Sequence, residues 1–173
     1  MTDTGTKSQG SPFWRFSLRF YRQPGVADAC IALQEQSGVD VNLLLYLLWH
    51  AQDSRTFAPG EVQEIEHRVE AWRESTVVPL RAVRRALKTP SALLDPGAAE
   101  AFRTRIKAVE LEAERLQQEA MYALVAPSGA PSASPAVAAR ASIAAYEKIC
   151  ARSFAEPAVE TLLSQFLAMK TSE

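Results

Sequence analysis

The sequence predicts an all-α domain: an irregular bundle of six or seven helices around a fully apolar central helix at about residues 40–52. Three observations carry this. The segment Leu43–Trp49 is apolar on every side, which belongs at the centre of a protein, and it is far short of the roughly 20 residues that a bilayer needs. The stretches around it repeat apolar residues in steps of three and four, the period of a core-facing helix. No alternating strand pattern competes with those stripes.

Residues 1–11 are polar and rich in Gly, Ser and Thr, the composition of a disordered tail. Ser11 and Pro12 read as N-cap and first residue of a helix that runs to about Tyr21. A second helix starts after Pro24-Gly25, carries Val26, Ala29, Cys30 and Leu33 on one face, and ends at Gly38. Asp40 then caps the central helix by accepting the amide proton of Asn42 or Leu43.

Pro59 opens a fourth helix with the stripe Val62, Ile65, Val69, Trp72, Thr76, Leu80, Val83 and Leu87. Pro79 falls inside it, where a proline removes one hydrogen bond and clashes with the carbonyl four residues back. A kink or break is expected there, with the helix resuming to about Lys88. A long helix follows over about 98–125, with Phe102, Ile106, Val109, Ala113, Leu116, Ala120 and Ala123 as its core-facing stripe. Residues 126–135 are low in complexity and rich in Pro and Ser, a mobile loop. Two shorter helices, at about 136–152 and 156–169, complete a single domain over residues 12–170.

The formal net charge of −1 gives no global attraction to nucleic acid or anionic lipid, so nucleic acid is disfavoured as a partner and any anionic ligand needs a local patch. No membrane span and no secretory signal are visible, which points to the cytoplasm. Cys30 and Cys150 form no CxxC and read as reduced, buried thiols.

Segments that include Phe13–Ser17, Pro24–Val26, Gly38–Leu45, Trp72-Arg73 and Pro79–Arg85 resemble a family of small conserved hypothetical proteins known mainly from proteobacteria. The resemblance spans about residues 13–125 and implies a helical fold and a bacterial cytosolic setting. It brings no established activity, so no catalytic residue carries over.

The sharpest charge feature is Arg81, Arg84, Arg85 and Lys88, in a segment without an acidic residue. On a helix they share an arc beside the Leu80/Val83/Leu87 stripe. They either pair with acidic residues between Glu100 and Glu119 or form a basic face for an anionic ligand or a protein partner. Asp40 and Asn42 read as caps, or as part of a buried polar network in which Asn42 reaches Arg15, Arg73 or Arg81. Trp49 and Trp72 read as core, or as walls of a pocket with Arg73 or Arg81 as anion anchor.

No catalytic constellation is visible, and no cofactor or metal is expected. Glu64-x-x-His67 is half of a di-iron pattern whose second half is missing. His50 reads as a charged partner of the dipole at the end of the central helix. The leading expectation is therefore a non-enzymatic helical interaction protein that uses a basic helix face. The alternative is a small-molecule binder or enzyme with an aromatic and arginine pocket between the central helix and the 61–88 helix.

Overall fold

A computed structural model describes residues 10–124 and 130–171, the side chains of residues 170 and 171 excepted. The expected disordered tail over 1–9, the part of the expected loop at 126–129, and Val125 lie outside the described residues.

The first helix, α1 (Pro12–Tyr21), is capped by Ser11, whose Oγ accepts the Trp14 N–H at 3.1 Å. The next, α2 (Val26–Ser37), is bounded by Gly25 (φ +74°) and Gly38 (φ +70°). Both sit in the left-handed region that favours glycine. At Gly25 a Cβ would also approach Thr161 Cγ2 to 3.1 Å. The central helix, α3 (Val41–Ala51), starts at Asp40, whose Oδ1 accepts the Asn42 N–H at 2.8 Å. Asn42 through Leu48 and Ala51 are all buried, which confirms an apolar helix at the centre.

After α3 the chain forms β1 (Arg55–Thr56), then α4 (Pro59–Trp72), a π-helical segment (Arg73–Val77) and α5 (Val78–Ala86) without interruption. The 28-residue α6 (Pro96–Ala123) starts from an Asp95 cap and runs back alongside α5. Finally β2 (Ala130–Pro131), α7 (Pro135–Cys150) and α8 (Glu156–Thr171) close the bundle. With α4 through α5 counted as one unit, seven helices stand among the described residues. α3 lies chiefly against α7, whose buried Ala138, Ala139 and Ala145 permit close approach, while α2 packs on α8.

Three expectations need correction. Residues 130–131 of the expected loop pair antiparallel with Arg55–Thr56, a two-residue ladder too short to leave an alternating pattern in the sequence.

Of the kink or break expected at Pro79, the break is absent, and a π-helical segment over Arg73–Val77 stands just before the proline. The Val78 N–H instead reaches the Arg73 carbonyl five residues back. This wider turn relieves the approach of the proline ring to the Ser75 carbonyl. It also takes one extra residue, which turns everything after Val77 by about 100° from the regular register. Val62, Ile65, Val69 and Val77 face the core, and α5 beyond them has no buried residue.

The stripe assigned to the core on α6 lies mostly outside. Ala113 is buried, whereas Phe102, Val109 and Leu116 are 44%, 51% and 44% exposed. The buried face of α6 instead carries Ala99, Glu110, Ala113, Gln117, Gln118 and Met121.

Candidate functional site

Two polar clusters sit between α6 and the rest of the bundle. The first centres on Asp40. Its Oδ2 accepts Gln117 Nε2 at 2.7 Å and Arg73 Nη1 at 3.4 Å, while its backbone N–H donates to Tyr146 Oη at 2.9 Å. Asn42 Oδ1 accepts Gln118 Nε2 at 2.8 Å. Asn42 thus ties α3 to α6 through an amide pair, not to one of the arginines expected from the sequence. Arg73 also donates to Glu66 at 2.5 Å and to Glu74 at 3.1 Å. Burial works against the charge on Arg73, but the Glu66 and Asp40 carboxylates outweigh it and raise its pKa. Burial raises the Glu66 pKa, and Arg73 opposes that rise.

The second cluster takes in the α5 arginines. Arg81 donates to Glu110 at 3.3 Å and to Glu114 at 3.0 Å. Arg84 grips both oxygens of Glu110, one of them at 3.2 Å. Glu110 is itself buried. The rotation imposed by the π segment aims these two guanidinium groups at α6. Arg85 points elsewhere, to an exposed 2.8 Å pair with Glu35 of α2. The structure therefore brings Asp40 and Arg73 together in one network, and Arg81 with Arg84 in another.

Trp49 and Trp72 do not share a pocket. The Trp49 ring lies 5.6 Å from that of Tyr122, whereas Trp72 Nε1 donates to the Ala113 carbonyl at 3.1 Å. Those two points on α6 are about 13 Å apart at 1.5 Å per residue. Trp49 lines a shallow depression beside α1, with Arg15, Phe16, Arg19 and Gln52.

His50 departs from its expected role as a charged partner of the helix dipole. Its ring is packed among Tyr46, Trp49 and Phe57, and Nε2 is buried without a hydrogen-bond partner. Burial, helped by nearby Arg55, pushes its pKa down to about 4. The folded protein therefore holds a neutral imidazole where the unfolded chain protonates near 6.5. Because the unfolded state binds the extra proton, this residue removes stability as pH falls from about 6.5 toward 4. At pH 5 the loss is about 2 kcal/mol relative to pH 8. His50→Phe is expected to remove most of that dependence in urea titrations at the two pH values. An unchanged dependence would assign it to other groups.

Cys30 is buried, and burial pushes its thiol up to about 12; Cys150 is half-buried and is also raised by burial. His67 is exposed beside Glu70 at 3.7 Å, and Glu64 pairs with Arg68 at 2.8 Å. No group of three potential metal ligands occurs among the described residues. No helix among them is long and apolar enough to cross a membrane.

Exposed apolar side chains lie on both helices of the α5–α6 pair. On α5, Leu80, Val83 and Leu87 lie to one side of the arginines that face α6. On α6, Phe102, Val109 and Leu116 lie to one side of Glu110. The opposite sides are fixed to the body of the protein: Arg85 by Glu35 of α2, and Gln118 by Asn42 of α3. For antiparallel neighbours these rotations put both stripes on the same outward face, with Trp72, 38% exposed, beside them.

The sequence reading took the acidic residues between Glu100 and Glu119 only as a group, and it missed Gln117, Gln118 and Tyr146. Glu110, Glu114 and Gln117 carried a signal: each follows a residue of the apolar α6 stripe by one position, a second stripe at helical spacing.

A family model described as a protein of unknown function, DUF2390, matches residues 12–121. The chain belongs to the DUF2390 family. The DUF2390 match runs from the start of α1 to within two residues of the end of α6. It includes Asp40, Asn42, Arg73, Arg81, Arg84, Glu110, Gln117 and Gln118, and leaves out α7 with Tyr146. No curated protein and no solved structure matches the chain.

Proposed function

We propose that this DUF2390 chain is a non-enzymatic helical interaction protein of the cytosol, and that it binds a protein partner through the outer face of α5 and α6. The observation that carries this reading is the exposed apolar side chains of adjacent helices, Val83 on α5 beside the partly exposed Leu80 and Leu87, and Phe102, Val109 and Leu116 on α6. Exposed apolar residues scattered singly need no explanation, but contiguous ones mark docking surfaces. The free thiols Cys30 and Cys150 fit a reducing compartment.

The basic character expected of α5 contributes less than its composition suggests. Arg81 and Arg84 are committed to Glu110 and Glu114, so attraction for an anionic partner falls to Lys88 and Arg85. The exposed Arg85–Glu35 pair contributes only about 0–1 kcal/mol and is exchangeable. Trp49 and Trp72 meet α6 at separate points, which disfavours a pocket walled by both.

A photo-crosslinking residue placed at Val109 in living cells tests the reading, with Leu167 as a control of similar exposure on α8. Discrete adducts are expected at 109 and none at 167, and Val83→Glu should remove those at 109. Equal adducts at both positions, or none at either, would overturn it.

A further inference from the structure

We propose that the partner of this face is a second copy of the chain, packed so that α6 meets α6 and α5 meets α5 antiparallel across one twofold axis. The inference rests on the docking reading above and specifies its occupant.

The pattern on α6 points to another helix. Phe102, Ile106, Val109, Ala113, Leu116, Ala120 and Ala123 average 3.5 residues per step, the repeat of a seam that receives the knobs of a facing helix. Buried Glu110 and Gln117 flank one edge of that seam inside the chain. The other edge carries Arg105, Glu112 and Glu119.

The face is self-complementary in one register. An antiparallel copy with its axis near residue 111 sets Phe102 against the partner's Ala120 and Ile106 against the partner's Leu116, and brings Val109 within about one helical turn of its own copy, while Ala113 stays buried inside its own chain. A large residue then meets a small one in the outer layer, as close packing requires. In the same register Arg105 faces the partner's Glu119, twice by symmetry. Glu119 accepts the Ser11 N–H through Oε1, and the proposed pair uses its other oxygen. Glu112 meets its own copy near the axis, a cost reduced by the Arg115 of its own chain, which holds it at 2.7 and 2.9 Å.

The shorter helix agrees with the same axis. Arg81 and Arg84 both reach Glu110, which sets the middle of the α5 stripe beside the middle of α6. A twofold there places Val83 against its own copy and Leu80 against the partner's Leu87. The area is also sufficient. With α6 about 42 Å long, α5 about 14 Å and each ~10 Å wide, the face covers on the order of 560 Å² per chain, ~1,100 Å² in total, above the roughly 1,000 Å² that a specific interface clears.

Sedimentation of the purified full chain at about 100 μM tests this, since a dimer with Kd near ~1 μM is then almost fully formed. Wild type is expected at twice the 19.0 kDa chain mass. Val109→Glu should weaken association by roughly 100-fold or more with helicity unchanged, because each substitution enters the interface twice and buries a charge. Should that variant fail to fold, Arg105→Glu on the surface gives the same reading, and Arg105→Glu with Glu119→Arg should restore the dimer. Wild type at monomer mass, or a dimer that survives both single variants, overturns the self-pairing. A monomer that still gives 109-specific adducts in cells leaves the docking face standing with a different partner. A monomer without such adducts overturns both.

Discussion

Leu45→Ala is expected to cost about 2–5 kcal/mol of stability, through lost transfer energy plus the cavity left behind. Leu45 is 3% exposed on a helix whose consecutive residues from Asn42 to Leu48 are all buried. No side of α3 is open to let solvent or a surface group fill the gap. The small residues of α7 that lie against α3 have little side chain with which to relax inward. Urea titration should therefore show a large fall in midpoint with an unchanged slope. A change below about 0.5 kcal/mol would place α3 at the surface, where substitutions have effects of that size, and would contradict the architecture.

Asp40→Ala is expected to cost about 3–5 kcal/mol, as the loss of a buried charged partner does. Three interactions end at this carboxylate. Loss of the α3 cap contributes about 1 kcal/mol. The Gln117 amide and the Arg73 guanidinium then lose an acceptor inside the protein, at about 1–3 kcal/mol for a donor left unsatisfied. Asp40→Asn separates these contributions. Asparagine caps as well as aspartate, so it should recover the cap but not both side-chain bonds, and should fall between wild type and alanine. An alanine variant within about 1 kcal/mol of wild type would mean that Asp40 is only a cap.

Most of the fold was legible in the sequence because its signals were local. Ser11, Asp40 and Asp95 announce their helices through caps, Gly25 and Gly38 through left-handed turns, and α3 through an apolar run with no polar side. The errors share another origin. Pro79 marks where the helix departs from α geometry, but the period of α4 and α5 continues unbroken through it, so the sequence does not show that the departure takes an extra residue. That residue decides which way Val83 and Arg84 face. Likewise, the apolar stripe of α6 is a true helical stripe, but the polar stripe one residue later takes the inner position because Asp40, Asn42, Arg81 and Arg84 await it there. Arg73 and Asp40 were both legible as candidates, whereas their meeting depends on helices that are distant in the chain. The neutral state of His50 was hidden for the same reason. Its aromatic cage includes Phe57, delivered by the turn after α3.

The claim on which the account turns is that the π segment directs the α5 arginines inward as braces and leaves the apolar stripe outside. A double-mutant cycle over Arg84→Ala and Glu110→Ala, read by urea denaturation, tests it most directly. The account predicts a coupling of about 1.5 kcal/mol or more, because the pair is doubly bonded and its carboxylate is buried. Additive single effects, with a coupling below about 0.3 kcal/mol, would contradict it and return Arg84 to an open basic face.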